Sequence, residues 1–301
     1  MKRTFLIIGL ALFCLILNAD PILINADYGW KSLTLPPSTS ISAMGGTGGE
    51  YFSEASTFLH HPTSGLIGGV NSATGSKTLW FADTNLNSIA ISSNTGRNSF
   101  GFIFRSLDYG KIDSRDLNGE IIGEFHPLEL NLGFNYARRL TPDFYGGLNL
   151  LFLYQRIESS TSIGFATDIG MTYLTPVQGL NVGVAIKHLG VTDKGDVERI
   201  KLPTTPELGI TYVYPLTSVD LLLAADVLKH PDDSNIKGRL GLTARINDIL
   251  DLRGGYLVNY DSQSITTGLG VSWRSIGFDY AYLPFKNNLD DVHSFSITYK
   301  F

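Results

Sequence analysis

About fourteen stretches of this chain, mostly about 9 to 13 residues long, alternate apolar with small or polar residues at a period of two. Their length is the constraint. Strands of soluble proteins average about 5 to 6 residues, whereas a strand crossing a bilayer needs roughly 9 to 11. The last stretch shows the pattern most plainly. Phe295, Ile297, Tyr299 and Phe301 share one face, and Ser294, Ser296, Thr298 and Lys300 share the other. Phe100, Phe102 and Phe104 alternate in the same way with Gly101, Ile103 and Arg105. The polar faces carry Arg105, Glu129, Asp168, Lys187, Asp226, Arg245, Arg253 and Asp279. Such charges are tolerated toward a polar lumen and costly toward lipid.

The connections also alternate in length. Short ones fall at Asn94–Gly96, Thr141-Pro142, Thr175-Pro176, Pro215–Thr217, Asn247-Asp248 and Ser275, and longer ones at residues 109–126, 190–206, 229–236 and 284–291. Short turns on one side and long loops on the other are the outer-membrane arrangement. Composition agrees: 17% charged residues, 32 Gly, and 17 Phe with 14 Tyr against 3 Met. A mean hydropathy of +0.08 excludes a helical membrane protein. The net charge of −5 gives no basic footprint for nucleic acid. The expected fold is all-β, an antiparallel transmembrane β-barrel of about 14 strands. A secreted β-sandwich or lipocalin-like barrel is the other architecture that alternation permits.

Lys2 and Arg3 precede the apolar run 5–17, which ends at Asn18-Ala19. A basic segment, a short apolar core and a small residue read as a Sec-type signal peptide over 1–19, cleaved after Ala19 or, second, after Ala26. Cys14, the only cysteine, lies inside that run, so the exported chain has no disulfide. Residues 20–76 differ from the rest, with Pro36-Pro37, Gly45-Gly46-Thr47-Gly48-Gly49 and Gly68-Gly69 but no sustained alternation. They are too apolar to be free linker, holding Trp30, Met44, Phe52, Phe58 and Leu66. A plug or hatch inside a barrel formed by residues 77–301 is the expected arrangement, with a short helical turn near 53–59.

The segment Leu35–Gly46, followed by Glu54–Leu66 with its His61-Pro62 and Gly65-Leu66, resembles the N-terminal signature of the PorV/PorQ family, relatives of the FadL-type transporters. His61 and Thr63 stand where that family usually has Asn and Ala around Pro62, and Ser40 where an Arg is common. The resemblance covers residues 33–70 most clearly. It implies a FadL-like 14-stranded barrel with a plug, built on Gly45, Gly46, His61, Pro62, Gly65 and Leu66, in the bacterial outer membrane. It also implies work with type IX-like protein secretion or surface attachment, with secreted proteins bearing C-terminal sorting domains as partners. The FadL branch implies instead passive transport of hydrophobic ligands through the lumen. The aromatic ending formed by Phe295, Ile297, Tyr299 and Phe301 resembles the signal that barrel-assembly machinery reads.

Chemistry-bearing motifs are sparse. His60-His61 has the residue type of a metal site, yet adjacent side chains diverge and no nearby Cys or acidic cluster supports them, so plug packing is expected and no metal. Gly45–Gly49 lacks the Lys-Ser/Thr ending of a phosphate loop. Asp108, Asp113, Asp116, Asn118 and Glu120 miss the EF-hand spacing. His126, His188 and His293 have no Gly-x-Ser-x-Gly elbow to serve. His188 continues the apolar face of its strand near a rim. No enzyme and no cofactor is expected. The partners are outer-membrane lipid and either secreted proteins or hydrophobic ligands, with no nucleic acid.

Overall fold

The computed structural model describes residues 28–49, 51–52, 54–193 and 200–301. The signal-peptide expectation, with Cys14 and both cleavage alternatives, lies outside them. Sixteen strands follow in order: β1 (Ser72–Leu79), β2 (Asn85–Asn94), β3 (Asn98–Asp108), β4 (Ile112–Arg115), β5 (Ile121–Phe125), β6 (Leu128–Arg139), β7 (Phe144–Ile157) and β8 (Ser160–Leu174). The rest are β9 (Leu180–Thr192), β10 (Thr205–Pro215), β11 (Val219–Leu228), β12 (Lys237–Ile246), β13 (Leu250–Val258), β14 (Ile265–Trp273), β15 (Ile276–Leu283) and β16 (Val292–Lys300). All but β4 and β5 form one closed antiparallel barrel of fourteen strands, 8 to 15 residues long. β4 and β5 make a separate hairpin in the long β3–β6 connection.

The barrel closes by pairing β16 with β1, from Ser72↔Lys300 to Leu79↔His293. β1 begins at Ser72, ahead of residue 77, and ends before Trp80-Phe81, which turn out into a loop. All short connections expected from the sequence lie at the end where the Phe301 N–H donates to the Asn71 carbonyl. Among the connections at the other end, only residues 158–159 form a tight turn, with Glu158 at φ 51°. By the outer-membrane pattern the short turns face the periplasm.

The period-two pattern acquires a direction. Ile297 is 59% exposed and Tyr299 53%, while Ser294, Ser296 and Thr298 are 1–2% exposed. The apolar face therefore looks outward and the polar face is dry. The same holds for Phe100, Phe102 and Phe104 against Arg105, and for Leu132 and Phe134 against Glu129 and Asn131. So continuous an apolar belt is a liability in water and matches hydrocarbon. No helix among the described residues is long and apolar enough to cross a membrane; the strands make the crossing. Boiling should therefore shift the protein's mobility on SDS gels, because a closed barrel resists the detergent until heated. Identical bands before and after heating would contradict the closed barrel.

Candidate functional site

The polar face is dry because residues 28–71 fill the lumen. The first described residues of this plug lie at the long-loop end, where the Gly29 N–H donates to the Lys201 carbonyl and Trp30 and Leu33 pack on Leu151, Leu153 and Leu202. It has little regular structure: 3₁₀ turns at Lys31–Thr34 and Ala55–Leu59, and short helices at Thr39–Ala43 and Ser64–Ile67. Ser38 caps the first helix by accepting the Ile41 N–H at 3.2 Å. A buried chain without regular structure leaves carbonyls that need donors. The strands supply them. Asn135 Nδ2 donates to the Pro62 carbonyl (2.9 Å), Asn149 Nδ2 to Phe58 (2.8 Å), Thr266 Oγ1 to Ala43 (2.9 Å) and Arg239 Nη1 to Gly46 (3.0 Å). The polar half of the alternation thus serves as the plug's hydrogen-bond partner.

The plug residues singled out by sequence all meet the wall. Gly45 and Gly46 adopt φ +71° and +85°, which favours glycine, and turn the chain against β12 and β13. A Cβ on Gly255 of β13 would overlap the Gly45 nitrogen, so two backbones touch there. His61 reaches Thr63 Oγ1 at 2.9 Å and the Val184 carbonyl at 3.2 Å. Pro62 lies against Gly147 and Gly170, and Gly65 against Ser99. Leu66 packs on Ala137 and Tyr145 near the periplasmic end. Gly255→Val should therefore expel residues 44–46, at about 1–3 kcal/mol by overpacking. Faster proteolysis within the plug, with heat-modifiable migration retained, is the expected reading; an unchanged cleavage rate would contradict the contact.

Charges line the lumen in balanced groups. Arg253 donates to Asp279 Oδ1 (2.5 Å) and Asp251 Oδ2 (2.6 Å), and Arg245 makes two bonds to Asp251. The Arg253 and Arg245 guanidinium groups also lie over the plug's Phe52 and Tyr51 rings, at 5.2 and 5.4 Å from their centroids. Glu129 accepts from Tyr109 (2.6 Å), Gln155 (2.8 Å) and the plug's Ser32. Lys187 donates to Glu207 Oε2 (2.8 Å) and to the His60 carbonyl (3.3 Å).

Above the plug, the long-loop end holds a cavity of about 330 Å³. Leu35, Pro36, Trp80, Leu257, Leu283 and Phe285 give it apolar walls, and Trp80, Phe81 and Phe285 cluster with ring centroids 5.4–5.8 Å apart. Its charged and titratable groups are Lys31, His230, Asp232, Asp233, Lys237, Arg239, Tyr260 and Asp261, and Ser262, Gln263 and Thr266 add neutral polar ones. They are largely paired among themselves: Lys31 with Asp232, Lys237 Nζ with Asp233 at 2.6 Å, and Arg239 Nε with the Tyr260 hydroxyl at 2.8 Å. Burial, helped by Arg239 and Lys237, drives His230 down to about 3, so it is neutral and meets Thr205 Oγ1 at 3.0 Å. Burial and then Lys237 lower Lys31. The chamber sets an apolar wall beside a polar one, whose cations Lys31, Lys237 and Arg239 are matched in formal charge by Asp232, Asp233 and Asp261.

His188 does not continue the outward apolar face. The β8–β9 register shifts between Thr167 and Ile169, and His188 sits at φ 60°. This bulge turns both Lys187 and His188 inward. The His188 N–H donates to Asp168 at 2.7 Å, and Nδ1 lies 3.2 Å from the Pro203 carbonyl. In the β3–β6 connection Asp116 accepts the Asn118 and Glu120 N–H groups as a turn. His60 and His61 do diverge, but His60 points to Glu207 and Asp226, whose nearness adjacent-residue spacing cannot reveal.

A closed fourteen-stranded barrel with an apolar belt, whose own N-terminal segment fills its lumen, is a plugged membrane barrel. Solved structures share this architecture. The toluene transporter TodX of Pseudomonas putida matches at a TM-score of 0.63 and 9% identity, over 87% of this chain and 97% of TodX. The monoaromatic hydrocarbon channel CymD matches at 0.62 and 12%, over 88% and 97%. A Pseudomonas aeruginosa FadL homologue matches at 0.56 and 12%, over 88% and 98%. The fold is thus FadL-like. No protein-family model and no curated protein sequence matches the chain.

Proposed function

We propose that this protein is an outer-membrane channel for hydrophobic small molecules, which enter the cavity at the long-loop end and pass when the plug shifts. The observation that carries this reading is the cavity itself: about 330 Å³ with six apolar side chains in its wall, beside charged groups that balance in sign, seated on residues 34–36, Ser42, Gly45 and Gly46 of the plug. Pockets of this size and lining suit small apolar ligands. The shared fold with proteins named as hydrocarbon channels, a toluene transporter and a FadL homologue supports it. On this reading the protein is not an enzyme, and its partners are outer-membrane lipid and a hydrophobic ligand.

Trp80 stands in the cavity wall and reports occupancy. Titrating the purified barrel with toluene, and separately with a long-chain fatty acid, should quench its emission saturably with at least one of them, and Trp80→Phe should remove the signal. No saturable change with either would contradict the reading. The secretion role implied by the PorV/PorQ-like segment at residues 33–70 is the second reading. It expects crosslinking of the barrel to the C-terminal domain of a secreted protein, which a hydrocarbon channel does not.

A further inference from the structure

We propose that His60, Glu207 and Asp226 form a divalent-cation site that clips the plug to the barrel wall. Among the described residues these three side chains, each about 97–98% buried, bring one donor atom apiece to within 4.8 Å of one another. His60 Nε2 lies 3.6 Å from Glu207 Oε1 and 3.5 Å from Asp226 Oδ2. Metal–ligand bonds of about 2.0–2.2 Å for zinc with imidazole and carboxylate span such separations with an ion between the donors.

The hydrogen bonding of the two carboxylates points the same way. Glu207 divides its oxygens: Oε2 takes Lys187 at 2.8 Å and Arg239 at 3.8 Å, while Oε1 faces His60. Asp226 is 2% exposed, yet neither of its carboxylate oxygens accepts a hydrogen bond. A buried carboxylate in that state is costly unless a cation meets it. Arg239, which faces Asp226 across the β11–β12 register, spends its guanidinium on Gly46, Tyr260 and Glu207. Asp226 Oδ2, with no hydrogen-bond donor, therefore faces His60 Nε2 at 3.5 Å, as Glu207 Oε1 does at 3.6 Å.

The location gives the site a consequence. His60 belongs to the plug, just after the turn Ala55–Leu59, whereas Glu207 and Asp226 belong to adjacent wall strands β10 and β11. The His60 ring is backed by the earlier pass of the plug, because a Cβ on Gly49 would overlap it. An ion at this point ties both passes of the plug to the wall, below the cavity, and its loss frees the element that must move for passage.

The inference does not depend on what the channel carries, since its test reads metal and plug alone. Barrel purified without a polyhistidine tag, stripped with EDTA and dialysed, is equilibrated with Zn²⁺, and bound zinc is measured by elemental analysis. One zinc per barrel is expected, with slower proteolysis of the plug. Asp226→Asn, which keeps the side chain's shape, and His60→Ala should each lose the bound zinc and its protection while heat-modifiable migration persists. No bound zinc in the wild type, or zinc retained in full by a folded Asp226→Asn variant, would overturn the proposal.

Discussion

Joining the plug to the wall through Thr39→Cys and Ser294→Cys is expected to stop passage of hydrophobic compounds to the level of vesicles without protein, and reductant is expected to restore it. Thr39 begins the first plug helix and Ser294 lies on β16, and their hydroxyl oxygens are 2.9 Å apart, both buried. The two side chains thus face each other in contact, and paired cysteines at these positions are expected to form a disulfide under mild oxidation. The chain's only cysteine is Cys14, so no native thiol competes beyond the expected signal peptide. The wall is closed and the plug fills it, so a guest in the upper cavity has no way down while residues 34–46 stay put. Uptake that continues in the oxidised form, with the crosslink verified by mass, would place the path elsewhere.

Arg253→Ala should be the most damaging single substitution in the lumen. It strips Asp251 and Asp279 of their shared cation and removes the guanidinium lying over Phe52. Breaking a buried pair by removing one partner typically costs about 3–5 kcal/mol. The temperature at which the unboiled barrel band disappears should fall sharply, while Arg253→Lys should fall less, by keeping a charge between the two carboxylates. Equal melting of Arg253→Ala and the wild type would show the ion pairs to be idle. Deleting Tyr299 to Phe301 should block membrane assembly instead, since these residues end the β1–β16 seam and Phe301 ties to Asn71.

The barrel was legible because lipid favours apolar residues at outward positions, most strongly near the middle of the bilayer. Phe100, Phe102 and Phe104, or Phe295, Ile297 and Tyr299, announce their strands without regard to partners. The first strand was legible only near Leu79, and its start at Ser72 was not, because its outward positions are Ala73, Gly75, Lys77 and Leu79, of which only one is large and apolar. Trp80-Phe81 look like strand residues and in fact build the aromatic cluster at the mouth with Phe285. The inward charges were legible as a set, since none could face lipid. Their pairings were not. Arg253 meets Asp279 by reaching across Gly270 of the strand between them, and His60 meets Glu207 only because the plug folds into the lumen. The bulge at His188 broke alternation with no glycine to mark it. The plug was visible as an interruption of the pattern, and its contacts follow from carbonyls that need donors, a demand that leaves no periodic trace.

Passage of a hydrophobic compound through this barrel is the deciding property. Purified protein reconstituted in lipid vesicles should speed entry of labelled toluene or of a long-chain fatty acid over protein-free vesicles, with saturation at high concentration and reversible loss in the oxidised Thr39→Cys/Ser294→Cys form. Entry no faster than through bare lipid for both compounds, with the barrel shown to be folded by its heat-modifiable band, would contradict it.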